Sequence, residues 1–259
     1  MDLDELVTAV RADLPDALIA LDFDGTLAPI VPDPADSRPV AGTLDALTAL
    51  AGVGAQIAIV TGRDALTVLS LSGLQPVPGL VVEGLYGAES WHGGALTSPA
   101  TPAAIEALRE RLPVIVAGGV DERVWIEDKR LSLVVHGRLA DDPEAVLEPL
   151  REPVADLAAE LGFEVHAGRG VIELRLPGFD KAGALLRLVE QVEPRTILFA
   201  GDDVGDLPAF SALRELRAGG SSAWAVGVRS PDVPELAGAV DLLVDGPGGV
   251  LEMLQRISR

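Results

Sequence analysis

Apolar runs of five or six residues alternate with amphipathic stretches at both ends of this chain. Asp4 to Ala12 has the spacing of a short amphipathic helix, and Ala17 to Asp22 is an apolar strand ending in carboxylates. A proline-rich loop follows (Pro29, Pro32, Pro34, Pro39), then a helix from about Gly42 to Ala51. Gln56 to Val60 reads as a buried strand, Asp64 to Leu71 as a helix and Leu80 to Glu83 as a third strand. The alternation resumes with a helix at Ala182 to Glu190, a strand at Thr196 to Ala200 and a helix at Leu207 to Arg217. Ala223 to Val228 and Asp241 to Val244 are further strands, and Gly249 to Ile257 is a closing helix. This order predicts a Rossmann-like α/β core, a parallel sheet wrapped by helices.

The middle of the chain breaks that rhythm. Pro102 to Arg111 and Pro143 to Leu161 read as helices. Trp125 to Ile126 and Ser132 to Val135 alternate with polar residues like hairpin strands. Phe163 to His166 and Val171 to Leu176 form a second pair around Gly168-Arg169-Gly170. Helix, hairpin, helix, hairpin predicts a small α+β domain inserted at residues 98–177, with residues 1–97 and 178–259 forming the core. No internal repeat marks a solenoid.

Composition narrows the function classes. Nearly half of the 259 residues are apolar, so a large core is expected. There is no cysteine, which excludes disulfides, thiolate metal sites and cysteine nucleophiles. The acidic start Met1-Asp2-Leu3-Asp4-Glu5 does not read as a secretory signal. Ala65 to Val82 is uncharged but broken by Ser70, Ser72, Gly73, Gln75, Pro76 and Pro78, so it does not read as a membrane span. A cytoplasmic protein is expected. A net charge of −20 argues against nucleic acid and anionic membranes as partners. An anionic substrate would be repelled by the same field, so a few local cations must overcome it. Only two lysines, Lys129 and Lys181, stand against eighteen arginines. A lysine kept under such a bias suits a place where a compact ammonium is needed.

Four motifs sit at predicted strand ends or helix starts. Asp22 and Asp24 close the first strand, in Asp22-Phe23-Asp24-Gly25-Thr26, where ligands of open α/β sheets collect. One carboxylate there can attack phosphorus while the other exchanges a proton with the leaving oxygen. The run also suits an ordinary capping loop. Thr61 follows the second strand, and its hydroxyl can donate to a phosphoryl oxygen or cap the helix at Asp64. Lys181 starts a helix. Asp202, Asp203 and Asp206 follow another strand, where three acids would repel without a cation such as Mg²⁺. They also suit a loop capping the helix at Leu207.

Together, Asp-x-Asp-Gly-Thr, strand–Thr-Gly-Arg, a lysine at a helix start and strand–Gly-Asp-Asp-x-x-Asp resemble the haloacid-dehalogenase-like phosphohydrolases in order and spacing. The insertion between Thr61 and Lys181 is similar to the second type of cap in that superfamily. Three stretches sharpen the resemblance to trehalose-6-phosphate phosphatases: Glu83 to Glu89, Ile126 to Arg138 and Gly170 to Pro177. The likeness runs from about Ala17 to Leu251. It implies that Asp22 forms an aspartyl-phosphate and Asp24 acts as acid and base, while Thr61 and Lys181 hold the phosphoryl group. Mg²⁺ would bind Asp22, the Asp24 backbone carbonyl and Asp202, with Asp206 nearby. Thr26, Gly62 and Arg63 are expected at the substrate, and Glu127, Lys129 and Glu173 on its sugar. A phosphosugar substrate, a monomer and functional coupling to a trehalose-phosphate synthase are the partner expectations. Many relatives carry Thr where Gly205 stands and Glu where Leu207 stands. Another sugar phosphatase with this cap, acting on sucrose phosphate or a mannosyl phosphoglycerate, is the alternative. A silent sugar-phosphate sensor and a mutase are further ones. His136 and Arg138 are expected to be structural or to flank the site, while His92 and His166, as isolated histidines, receive no chemistry and are expected on loops or strand faces.

Overall fold

A computed structural model describes residues 1–118, 121–168, 170–229, 233 and 236–259. Arg169, in the turn expected between the last two insertion strands, lies outside the described residues. The chain divides into two compact units, Met1–Ser98 with Asp180–Arg259, and Pro99–Phe179.

The first unit runs through α1 (Leu3–Arg11), β1 (Ala17–Leu21), α2 (Thr43–Gly52), β2 (Gln56–Val60), α3 (Ala65–Ser72), β3 (Val81–Gly84), β4 (Glu89–His92) and β5 (Ala95–Thr97). The second unit holds α4 (Ala103–Ala117), β6 (Trp125–Asp128), β7 (Ser132–His136), α5 (Pro143–Leu161), β8 (Glu164–Gly168) and β9 (Val171–Arg175). The first resumes with α6 (Lys181–Val192), β10 (Thr196–Gly201), α7 (Leu207–Ala218), β11 (Ser222–Val228), α8 (Leu236–Ala239), β12 (Leu242–Val244) and α9 (Gly246–Ile257).

The eight-stranded sheet has the order β12-β11-β10-β1-β2-β3-β4-β5. Every residue of β1 is buried, because successive side chains feed opposite cores. Ile19 and Leu21 pack with α1, α2, α3 and α9, while Leu18 and Ala20 pack with α6 and α7. The result is a Rossmann-like sheet between two helical layers. The strands from β12 to β3 are parallel, as expected, but β4 and β5 extend the sheet antiparallel. The signal for that hairpin was Gly93-Gly94, whose φ values of +59° and +86° supply a tight two-residue turn.

In the second unit, β6-β7-β9-β8 form an antiparallel sheet. Leu133, Val135, Ile172 and Leu174 line one face and pack on Ile105, Leu108 and Leu112 of α4 and Leu147, Leu150 and Val154 of α5. Helix α4 continues through Pro113 to Ala117, past its expected end at Arg111. The apolar stripe goes on through Ile115 and Val116, which pack on the same core and outweigh the bond lost at proline. Among the described residues no helix is long and apolar enough to cross a membrane.

Candidate active site

The strand order reverses between β1 and β10. The chain steps from β1 to β2 and β3 on one side, and from β10 to β11 and β12 on the other. Such a switch opens a crevice at the carboxyl ends of the strands. Asp22 and Asp202 emerge there on neighbouring strands, and the Asp22 N–H donates to the Ala200 carbonyl at 2.9 Å. Gly25 lets the next turn approach: its φ is +78°, and a Cβ there would lie 2.0 Å from an Asp202 carboxylate oxygen. Thr26, also buried, donates to Asp202 Oδ1 at 3.1 Å.

Lys181 enters from α6, whose N-cap Asp180 accepts from the Gly183 N–H at 2.6 Å. Its ammonium is only 3% exposed, so it needs partners. It lies 2.9 Å from Asp22 Oδ1, 2.6 Å from Asp206 Oδ1 and 3.8 Å from Asp203 Oδ1. The other Asp206 oxygen accepts from the N–H groups of Asp202, at 2.9 Å, and Asp203, at 3.0 Å. Asp206 therefore braces the loop that carries Asp202.

One carboxylate oxygen from each of Asp22, Asp202 and Asp206 lies within 4.8 Å of the others. Three buried carboxylates facing one buried ammonium leave negative charge in surplus. Burial pushes the Asp22 and Asp206 carboxyls well above the usual range, against the pull of Lys181. Burial, reinforced by Asp206 and Asp203, pushes Asp202 up to about 7. For Lys181, burial acts downward, but the Asp206 and Asp22 carboxylates overcome it and hold the ammonium well above its ordinary value. An all-oxygen donor set with surplus charge fits a hard divalent cation such as Mg²⁺.

Asp24 is held differently. Arg63 grips it through Nε at 2.5 Å and Nη2 at 2.7 Å, and Ser37 Oγ donates to it at 2.9 Å. Arg63 Nη1 also donates to the Pro34 carbonyl at 2.9 Å, tying the proline-rich loop to the pair. The guanidinium expected at the substrate is thus on Asp24 in this arrangement. No spacing in the sequence marks Ser37 for this contact.

Thr61 is buried, and its Oγ1 accepts from the Arg63 N–H at 3.1 Å. The capping alternative belongs instead to Asp64, which accepts from the Thr67 N–H at 2.8 Å. The stretch Glu83 to Glu89 moulds this loop. Leu85 and Tyr86 are both left-handed, with φ of +48° and +59°. Their N–H groups donate to the Arg63 carbonyl at 2.8 Å and the Thr61 carbonyl at 2.9 Å. Gly62 admits the Tyr86 ring, since a Cβ there would lie 2.7 Å from the phenol oxygen. Glu89 accepts from the Ala65 N–H at 3.0 Å, at the start of α3.

The second unit carries its own polar cluster. Lys129 Nζ lies 3.5 Å from Glu173 and 4.0 Å from Glu127, and Ser132 Oγ donates to Glu173 at 3.1 Å. Glu127 and Glu173 flank Val134 across β6, β7 and β9, on the face opposite α4 and α5. His136 Nε2 bonds to Glu127 at 2.9 Å, a partner the sequence did not reveal. Burial lowers the His166 pKa. Arg138 and His92 are exposed, each just beyond or at the end of its strand.

A family model described as trehalose-phosphatase matches residues 20–237. The chain belongs to the trehalose-phosphatase family. Members of that family are phosphoric monoester hydrolases. A trehalose-phosphate phosphatase of Mycobacterium marinum is 32% identical over 99% of this chain and 70% of its own length. Across three such mycobacterial relatives the chain spans 61 to 70% of their length. The C-terminal domain of C. albicans trehalose-6-phosphate phosphatase shares the fold, with a TM-score of 0.83 at 24% identity, over 100% of this chain and 97% of that one. A haloacid dehalogenase-like hydrolase from Bacteroides thetaiotaomicron does so at 0.67 and 16%, over 93% of this chain and 99% of that one. The fold is that of the haloacid-dehalogenase-like hydrolases.

Proposed function

We propose that this chain hydrolyses trehalose 6-phosphate to trehalose and phosphate through a phospho-aspartate on Asp22. The observation that carries the reading is the Asp22 carboxylate, buried at the switch point with the Lys181 ammonium 2.9 Å away. Asp22 attacks phosphorus, and the bond from phosphorus to the sugar oxygen breaks. Asp24 gives that oxygen a proton. It then takes one from the water that attacks the phospho-aspartate, which releases phosphate and restores Asp22. Lys181 and Thr61 hold the phosphoryl oxygens, joined by the Gly62 backbone. Mg²⁺, held by Asp22, Asp202 and the Asp24 carbonyl with Asp206 behind them, would neutralise charge on the phosphoryl group. Thr26 acts on Asp202 rather than on substrate. Glu127, Lys129 and Glu173 bond the sugar hydroxyls.

The test is phosphate release from a panel of phosphosugars with Mg²⁺ present. Trehalose 6-phosphate is expected to be strongly preferred, and an equal rate on sucrose phosphate would refute the substrate. Asp22→Asn is expected to abolish turnover, because an amide supplies no carboxylate nucleophile. Substantial residual turnover in that variant would sink the covalent route.

A further inference from the structure

We propose that Trp125 is a sugar-stacking residue of the second unit, with His136 as the residue that positions its ring. The inference deepens the trehalose 6-phosphate reading and rests on it.

Trp125 opens β6, an edge strand, and is 42% exposed. Its partner across the ladder is His136 on β7, and the two rings stack with centroids 4.0 Å apart and planes within 4°. His136 covers one indole face and is itself only 8% exposed, so the solvent-facing area lies on the other face and the edges. The imidazole is not free to turn, because its Nε2 bonds to Glu127 at 2.9 Å. Glu127 stands two residues after Trp125, on the same side of the strand. The platform and the carboxylate are therefore one rigid unit, continuous with Lys129 and Glu173.

That combination matches a pyranose. A glucose ring presents hydroxyls around its rim and an apolar face of C–H groups. The rim suits two carboxylates and an ammonium, while the C–H face suits a flat, pre-oriented indole. A Trp–His pair with a structural task alone would bury the larger ring, and here the smaller one is buried. The occupant is one glucose ring of the disaccharide phosphate.

Steady-state kinetics on trehalose 6-phosphate and on glycerol phosphate, which has no sugar ring, test this. Trp125→Ala is expected to raise KM for trehalose 6-phosphate ~10-fold with little change in kcat, the loss of one stacked ring. Turnover of glycerol phosphate should stay at the wild-type level, which also shows that the variant folds. Trp125→Phe should recover most of the affinity, and His136→Ala should give a smaller rise of the same KM. Added trehalose should shift tryptophan fluorescence in the wild type and not in Trp125→Phe. An unchanged KM in Trp125→Ala, or a fluorescence shift that survives in Trp125→Phe, overturns the proposal alone. A wild type that does not prefer trehalose 6-phosphate to glycerol phosphate overturns the substrate reading and the proposal with it.

Discussion

A divalent cation should stabilise this fold, and do so far more at alkaline than at acid pH. Without a cation, Asp202 titrates at about 7 when folded, against 3.8 as an unperturbed carboxyl, because burial and the neighbouring Asp206 and Asp203 oppose its charge. Between those values the folded chain keeps a proton that the unfolded chain has released. The Asp202 carboxyl therefore contributes stability that is lost as pH rises from 3.8 to about 7, ~4 kcal/mol at about 1.4 kcal/mol per unit. A cation that binds the ionised set offsets this loss. At about pH 8 it displaces no proton from Asp202, whereas at about pH 5 it must displace one held two units more tightly, weakening binding ~100-fold. With Mg²⁺ at about ten times its alkaline dissociation constant, the gain is ~1.4 kcal/mol, or about 3–6 °C in Tm for a chain of this size. At about pH 5 the same concentration should move Tm by well under 1 °C. Thermal melts with Mg²⁺ or a chelator at both pH values read this directly. Equal gains at the two pH values, or none at the higher, would refute a cation site built on Asp22, Asp202 and Asp206.

Two further outcomes follow from the same loops. Gly25→Ala places a methyl 2.0 Å from an Asp202 oxygen and forces alanine to φ near +78°, so it should abolish both turnover and the Mg²⁺-dependent Tm gain at alkaline pH. A variant that keeps the Tm gain would show that the turn does not shape the cation site. Glu89→Ala removes the acceptor of the buried Ala65 N–H and should cost about 1–2 kcal/mol, read as a lower Tm, and lower kcat by loosening the Thr61 loop. Glu89→Gln, which keeps an amide oxygen there, should recover most of both, and failure to do so would assign the effect to charge.

What the sequence made legible was local. Asp22, Thr61 and Asp202 each follow an uninterrupted apolar strand, so their place at strand ends could be read without a fold. What it hid depends on where distant loops land. Ser37 meets Asp24 from inside a proline-rich segment, and Arg63 reaches the same carboxylate from 39 residues away. The left-handed pair Leu85 and Tyr86 is bonded to the Thr61 loop, and neither residue type signals that conformation. The state of the acids is also invisible locally, since burial raises Asp22 and Asp206 and is assembled from β1, β10 and α6 together.

The two lysines show how a compositional oddity acquires a spatial cause. In the first unit Lys181 is wedged between Asp22 at 2.9 Å and Asp206 at 2.6 Å. In the second, Lys129 lies between Glu173 at 3.5 Å and Glu127 at 4.0 Å. Both are single point charges placed among two or more carboxylates. A planar guanidinium can also bridge two exposed acids, as Arg109 does between Glu106 at 2.5 Å and Asp128 at 2.6 Å, so serving two anions does not by itself select lysine. An arginine in place of Lys181 would have to fit a wider head into a position that is 3% exposed. For Lys181, then, burial rather than the number of acidic partners favours a compact ammonium over the guanidinium used elsewhere in the chain.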